Sequence, residues 1–221
     1  SARNTGADAC ATKMPSVWSA VAEGWRWLRD RPRLTLFFTC SLVPFLIVMA
    51  GNYLFPIYVA QTLQASAVWF AAGEIAFAVG SIIAGFWLPR LIGRHSAAST
   101  IPATMLVFLG GLVLLIAFRF PVAFLFAGVL LGFGNAGCRV ARSALLLHLV
   151  PNEVMGRVNG FYLVFDRVMR TLLVYAMIII DTQGAPAGYM VLTIVFLIAF
   201  VGVLQSRRAV RVSAAPVPAA A

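Results

Sequence analysis

The sequence predicts an all-α integral membrane protein, folded as a six-helix transmembrane bundle. Of its 221 residues, 62% are hydrophobic and 11% are charged, whereas soluble globular domains have about 45–50% apolar and 25% charged residues. The chain also contains six apolar runs of roughly 20 residues, the length that an α-helix needs to cross a bilayer. Short links between the runs favour antiparallel packing of consecutive helices.

The apolar runs give the bounds of six predicted spans. These are helix A near 34–58, helix B near 67–88, helix C near 101–118, helix D near 122–147, helix E near 157–180 and helix F near 188–206. The chain is thereby divided into a leader at 1–33, a bundle at 34–206 and a tail at 207–221. We expect residues 1–15 and the Ala/Pro-rich end of the tail to be disordered.

Arginines in the flanks of the spans predict the orientation of the bundle. Only Arg119 lies on one side, while ten arginines lie on the other: Arg26, Arg29, Arg31, Arg33, Arg90, Arg94, Arg157, Arg207, Arg208 and Arg211. Both termini are therefore predicted to be cytoplasmic. The excess of 17 Lys plus Arg over 7 Asp plus Glu is explained by this membrane orientation, so we expect no nucleic-acid partner.

The leader contains an amphipathic pattern. Trp18, Val21, Trp25 and Leu28 fall on one helical face, with arginines on the other. This pattern is typical of a helix lying in the membrane interface. The alternative, which we favour, is an entry into the first span that is anchored by aromatic side chains.

Polar side chains within the spans are unevenly distributed. Helices C and F contain no charge and can face lipid, whereas the other spans carry groups that must meet protein or water, because a bare charge at the bilayer centre costs at least about 2.5 kcal/mol. These groups are Glu74 in helix B, Asn135, Arg139 and Arg142 in helix D, and Asn159, Asp166, Arg167 and Arg170 in helix E.

Helices D and E each place their polar residues on one face, and Asp166 can pair with Arg170 one turn away. Two interpretations of this seam remain open. It is either a cluster of salt bridges that joins D to E and closes the cytoplasmic end, or a water-filled path for substrate or protons. Glu74 is either a protonatable group or a neutral carboxyl near outer water, and Asn52, four residues before Pro56, is either a cavity-lining residue or a helix-packing one.

Other classes of site lack the required residues. Cys10, Cys40 and Cys138 match no metal-ligand spacing, and no nucleophile, base and acid form a catalytic set. We expect no enzyme activity, no metal and no cofactor. The Gly128 and Gly132 pair in helix D is a GxxxG motif, which predicts close helix packing.

Three stretches resemble a known family: AEGWRWLRDRP, GSIIAGFWLPRLIGRH and RVARSALLLHLVPNEVMGRVNGFYLVFDRV. They are similar to the second half of a major facilitator superfamily transporter, most of all the bacterial branch of macrolide efflux pumps and enterobactin-type siderophore exporters. The resemblance covers about residues 20–206, as the family's helices seven to twelve. It implies two inverted three-helix repeats, A-B-C and D-E-F, with the third helix of each at the periphery.

The resemblance implies a function and a set of roles. We expect half of a proton-driven exporter of a small amphipathic or anionic drug or siderophore, in a bacterial inner membrane, with a cavity shared with an N-terminal half or a second copy. The chain is then a fragment or a truncated reading frame. The alternative is a non-transporting subunit that docks another helical membrane protein.

Residue roles follow from the positions of the polar groups within the spans. Arg139 and Arg170 would attract carboxylates, Asp166 would orient Arg170, and Glu74 would carry protons. Asn52 and Asn135 complete the substrate and coupling candidates. The cytoplasmic gate candidates are Arg90, Arg94, Arg142, Arg157 and Arg167. The family's GxxxDRxGRR loop motif corresponds here to residues 89–95, which lack the acid at the Asp position.

The predicted orientation can be tested with an impermeant thiol reagent on intact cells. A cysteine placed at Gln64, in a chain whose own three cysteines are replaced, should react from outside, because position 64 follows helix A at the arginine-poor end. Cysteines at Ser96 and Asn152 should react only after the membrane is opened. The reverse pattern would overturn both the orientation and the resemblance.

Overall fold

The structure is a computed structural model that describes residues 17–180 and 185–213. Most of the predicted disordered segments, at 1–15 and 214–221, lie outside the described residues, as does Cys10. The leader is described from residue 17, and the predicted tail through residue 213. Within the described ranges the chain contains helices and no strand, in agreement with the predicted all-α class.

Eight α-helices and one π-helical turn make up the described chain. They are α1 (Val17–Arg29), α2 (Pro32–Cys40), α3 (Val43–Ile57), the π-helical turn Tyr58–Thr62, α4 (Ala67–His95), α5 (Ala97–Ala117), α6 (Pro121–Leu149), α7 (Asn152–Ile180) and α8 (Ala185–Ser213). Predicted helix A corresponds to α2, α3 and the π-helical turn together. Helices B to F correspond to α4 to α8.

Five helical segments of the described residues are long and apolar enough to cross a membrane. They are Pro32–Thr62, Ala67–Arg94, Ala97–Ala117, Pro121–Leu149 and Ala185–Val210. The remaining predicted span, helix E or α7, has the same 29-residue length as α6 but is less apolar because it carries Asp166, Arg167 and Arg170 near its middle. Because α7 packs along α3, it belongs to the same bundle as the other five.

Several helices extend beyond their predicted ends at the arginine-rich end of the bundle, where Arg33, Arg94 and Arg157 lie. The B–C connection predicted at 89–100 is only the single residue Ser96, which has a positive φ of 69°. Pro89 lies inside α4, so its ring removes one helical hydrogen bond without ending the helix. Similarly, α8 continues through the first seven residues of the predicted tail.

Helix A is interrupted in two places, and each interruption determines where the side chains next to it lie. Ser41 and Leu42 separate α2 from α3, and the hydroxyl of Ser41 donates to the carbonyl of Phe38 at 2.8 Å. Nearer the other end, Pro56 lacks an N–H and leaves the carbonyl of Asn52 without its helical donor. The π-helical turn follows directly and closes with a bond from the N–H of Leu63 to the carbonyl of Tyr58 at 3.0 Å.

The packing of the six spans has an internal two-fold pattern. α6 packs against α4 and α5, the first segment (α2 with α3) packs against α7 and α8, and α5 packs against α8. If helices A, B and C are exchanged with D, E and F, the contacts of D with B and C become the contacts of A with E and F, and the contact between C and F is unchanged. The short links make A and D run in opposite directions, as the predicted inverted repeats require.

The α4–α6 pair approaches at the level of the backbone. A Cβ at Gly80 would collide with the carbonyl of Val129, and one at Gly132 would collide with the carbonyl of Phe77. The hydroxyl of Ser81 lies 3.0 Å from the carbonyl oxygen of Phe77 and 3.3 Å from that of Gly132. The glycines of the predicted GxxxG motif are therefore packing positions, as expected for small residues between membrane helices.

Helix C, which was predicted to tolerate lipid because it has no charge, is the more buried of helices B and C within the described chain. Half of the apolar stretch of α5 is buried, against 17% for α4, because α5 fills the space between α6 and α8, where Phe108 stacks on Phe196 at 5.2 Å. In contrast, α4 exposes a row of large apolar side chains that includes Ile75, Phe86 and Trp87. Absence of charge predicts that a helix tolerates lipid, but not that lipid covers it.

The leader helix α1 packs against the start of α7. Glu23 forms a salt bridge with Arg157 at 2.9 Å, and Trp25 stacks on Phe161 with 5.3 Å between ring centroids. Leu28 is fully buried. Trp25 and Leu28, on the predicted apolar face of α1, thus contact protein, and the contact of this helix with the membrane interface stays a prediction.

A glycine-to-alanine comparison tests the α4–α6 packing. Gly132→Ala should lower the thermal midpoint of the purified protein, because the new methyl must push helix backbones apart at a cost of about 1–3 kcal/mol. Gly85→Ala is the matched control, since no heavy atom lies within 4 Å of its Cβ position, and it should be neutral or slightly stabilising. Equal effects of the two substitutions would contradict the close packing.

Candidate functional site

A cleft of about 480 Å³ collects most of the charged residues that lie inside the spans. We call it the arginine cleft. Its polar lining residues are Arg139, Arg142, Asn159, Tyr162, Asp166, Arg167 and Arg170, and Leu42, Phe45, Gly160 and Leu163 complete the wall. The predicted polar stripes of helices D and E therefore face one common space.

The two stripes meet across helix A, which corrects the idea of a seam made by D and E alone. α3 packs against both α6 and α7, and the ring of Phe45 lies between the two sets of charges. The guanidinium carbon of Arg139 is 5.0 Å from the ring centroid, and that of Arg170 is 5.5 Å away. Both distances fall within the range of cation–π attraction.

The position of Phe45 follows from the interruption in helix A. Because Pro44 has no N–H, the α3 ladder begins anew at Leu42, whose carbonyl accepts from the N–H of Phe45 at 3.0 Å. The carbonyl of Ser41 instead accepts a hydrogen bond from the thiol of Cys138 at 3.2 Å. Cys138 directly precedes Arg139, so this bond holds the arginine next to the first turn of α3.

Asp166 and Arg170 form the predicted pair along α7. A side-chain nitrogen, Nη2 of Arg170, donates to Oδ2 of Asp166 at 2.9 Å. The pair is mostly sheltered, with 28% of the Arg170 side chain and 11% of the Asp166 side chain exposed. The expected i, i+4 contact is thus confirmed, while its role in function stays a prediction.

Several polar atoms around the cleft have no protein partner. Among the described residues, Oδ1 of Asp166, Nε of Arg170, Nη1 of Arg142 and Oδ1 of Asn135 are buried without a hydrogen bond. Such groups are costly unless water or a ligand satisfies them. Four guanidinium groups also face a single carboxylate here, so the cleft has a formal charge of +3 and can hold anions in a low-dielectric setting.

A second cavity of about 160 Å³ lies further toward the arginine-poor end. We call it the Glu74 cavity. Glu74 and Asn52 are exposed at its wall, and the buried hydroxyl of Tyr189 has no hydrogen-bond partner within the described chain. Phe55 and Phe77 contribute to its apolar lining. Of the predicted substrate and coupling candidates, Asn52 and Glu74 line this cavity, Arg139, Asp166 and Arg170 line the arginine cleft, and Asn135 lines neither.

The five gate candidates lie in three different places. Arg142 and Arg167 line the arginine cleft, whereas Arg157 pairs with Glu23 of the leader. Arg90 and Arg94 are exposed on the last turns of α4, where Arg90 donates to the carbonyl of Phe86 at 3.1 Å. The arginines are all at the same end of the bundle, but this structure does not join them in one network.

Three contributors to these sites were not identified from the sequence. Phe45, Tyr189 and Glu23 look like ordinary apolar, interfacial or solvated residues in their own segments. A helical periodicity shows which face a residue shares on its own helix, but not which distant helix meets that face. The only local signal was the pair of prolines in helix A, at 44 and 56, which marks the interruptions beside both cavities.

A bundle of long apolar helices with charged clefts is typical of membrane transport proteins. Comparison of the chain with family sequence models gives a match over residues 3–174 to the Major Facilitator Superfamily. This match covers most of the chain, which therefore belongs to the major facilitator superfamily, a family of secondary transporters that move small molecules across lipid bilayers. No curated protein and no solved structure matched the chain in the other two comparisons.

The stability of the arginine cleft can be tested through its ion pair. Asp166→Asn should lower the free energy of unfolding by about 2–3 kcal/mol, because it leaves Arg170 as a sheltered cation without its carboxylate. Adding Arg170→Gln should recover most of this loss, since the penalty lies mainly in the unpaired partner. Thermal unfolding in detergent measures both variants. A double variant no more stable than the single one would show that the pair does not act as a unit.

Proposed function

We propose that this chain forms the C-terminal six-helix half of a proton-driven transporter that exports a small amphipathic or anionic compound, such as a drug or a siderophore. We place it in a bacterial inner membrane with both termini in the cytoplasm. The arginine cleft is its substrate site, with Arg139 and Arg170 as anion-binding residues. The single observation that carries this proposal is the charge of +3 in a cleft that also contains buried, unpartnered donors.

A purely structural cluster would be expected to balance its charges. Among the described residues that line the arginine cleft, only Arg170 has a carboxylate partner, and Arg139 rests against an aromatic ring. Nε of Arg170 remains available after its other nitrogen binds Asp166. Guanidinium groups arranged in this way favour a carboxylate or another planar anion, and the surrounding low dielectric strengthens the attraction.

Phe45 adds a preference for amphipathic cargo. Its ring contacts both Arg139 and Arg170, so an anion bound between them would also meet an apolar surface formed with Leu42 and Leu163. Small-molecule sites commonly combine an apolar wall with a few polar groups that fix orientation. This combination supports an organic anion over a small inorganic one.

The Glu74 cavity supports a separate place for proton coupling. Asn52 lies seven residues after Phe45, two helical turns or about 10 Å along α3 and on nearly the same face. The two cavities therefore open toward one side of the bundle. Glu74 in one cavity is well separated from the arginines of the other. We assign proton transfer to Glu74, with Asn52 and the hydroxyl of Tyr189 as its polar neighbours.

The exposed faces of α4 and α7 support the requirement for another half. α4 exposes Phe86 and Trp87, and α7 exposes Leu163, Leu172 and Tyr175. These two helices correspond to each other in the internal two-fold pattern. A second bundle packed against both would therefore cover the side of this bundle on which the two cavities open. An N-terminal six-helix half, or a second copy of this chain, is the proposed occupant; a non-transporting docking subunit is not favoured by the family.

Efflux measurements test the substrate site. The chain is co-expressed with an N-terminal half, and export of a catecholate siderophore and of a macrolide is measured in cells that lack other exporters; the chain alone should export neither. In the paired system, Asp166→Asn with Arg170→Gln should fold but lose at least about tenfold in efflux, the value of one charge-assisted hydrogen bond.

Arg208→Gln is the matched control. Arg208 is exposed near the end of α8 and outside the cleft, so its loss removes one positive charge without touching the site and should leave efflux unchanged. Efflux that recovers together with stability in the double variant would remove Arg170 from substrate binding. Export by the chain alone, with no sign of a dimer, would contradict the requirement for a second half.

A further inference from the structure

We propose that a third cavity, at the arginine-rich end, binds the phosphate group of an anionic phospholipid. This end cavity has a volume of about 470 Å³ and lies where α2 begins and where α6 and α8 end. It is lined by Arg31, Pro32, Arg33, Leu34, Leu149, Ala209 and Val210. It shares no residue with the arginine cleft, so the proposal is independent of the proposed transport function.

The polar wall of the end cavity is formed by two arginines. The guanidinium of Arg31 stacks on Trp27 at 4.2 Å from the ring centroid and lies 3.4 Å from the carbonyl oxygen of Trp27. This contact fixes the group and leaves most of its five N–H donors free. Arg33 is exposed, and the lining formed by the described part of the chain includes no acidic residue. The wall therefore offers two uncompensated cations.

The backbone at the start of α2 adds to the positive potential. Pro32 occupies the first turn, and the first intrahelical bond runs from the N–H of Thr35 to the carbonyl of Arg31 at 3.0 Å. The N–H groups of Arg33 and Leu34 precede that bond and have no helical acceptor. A phosphate beside the two guanidinium groups would thus also meet the positive end of the helix dipole.

The apolar side of the cavity decides between a lipid and a free phosphate. Leu149 and Val210 line it beside the arginines, and Leu36, about one turn further into the bundle, is 43% exposed. Leu204 on α8 is exposed to the same extent, and Gly202 lets α8 approach Leu36 and Cys40. A phospholipid can place its phosphate at Arg31 and Arg33 and its acyl chains along these leucines, whereas inorganic phosphate uses only the polar wall.

Thermal unfolding of the complete chain in an uncharged detergent tests the proposal. Phosphatidylglycerol should raise the midpoint by about 5 °C at saturating lipid, whereas phosphatidylcholine and inorganic phosphate should raise it by much less. In the double variant Arg31→Gln with Arg33→Gln the phosphatidylglycerol effect should disappear. Native mass spectrometry should show a retained phosphatidylglycerol molecule on the unmodified chain and none on this variant.

The matched control is Arg26→Gln with Arg29→Gln, which removes the same charge from exposed positions on α1 outside the cavity and should keep the full effect. If both double variants lose the phosphatidylglycerol effect equally, the lipid responds to the overall positive charge and not to the end cavity, which would overturn the proposed site. A full shift with inorganic phosphate alone would overturn the lipid as its ligand. If the cavity variant does not fold, Arg33→Gln alone replaces it, and a shift unchanged from that of the unmodified chain overturns the proposal.

Discussion

Charges within a membrane must be paired, hydrated or carried to the surface, and the answer to this constraint organises the bundle. The charged residues of α6 and α7 cannot meet lipid, so both helices turn them toward helix A. There, Phe45 is a neutral surface that attracts Arg139 and Arg170 without cancelling their charge. An acid in its place would lower the formal charge of the cleft from +3 to +2, and an aliphatic side chain would offer the guanidinium groups no electrostatic partner.

Helix A can provide that surface because it is interrupted. A continuous helix would use the carbonyl of Ser41 in its own ladder, whereas the break at Leu42 and Pro44 frees it for the thiol of Cys138. The bond connects a backbone irregularity in α3 to the residue beside Arg139. Non-helical backbone is tolerated inside a membrane where protein buries it or where it borders a cavity, and the break beside the arginine cleft meets this condition.

Much of this architecture could be predicted from the sequence, for reasons that also explain the errors. Long apolar runs depend on bilayer thickness, so each of the six predicted helices has a counterpart in the structure, and the Asp166–Arg170 pair follows from helical geometry alone. The end of α4 beyond Pro89, the burial of α5 and the position of helix A between α6 and α7 depend on neighbours distant in sequence. Local patterns contain no information about those neighbours.

The contact between α1 and α7 has a consequence for biosynthesis. Glu23 and Trp25 leave the ribosome about 130 residues before Arg157 and Phe161, their partners in the bundle. At 5–20 residues per second this interval is on the order of 10 s. During that time the leader lacks its partners on α7, and a membrane interface is a surface on which such an amphipathic helix can lie. The docked leader therefore marks a nascent chain in which the first turns of the fifth span have been made.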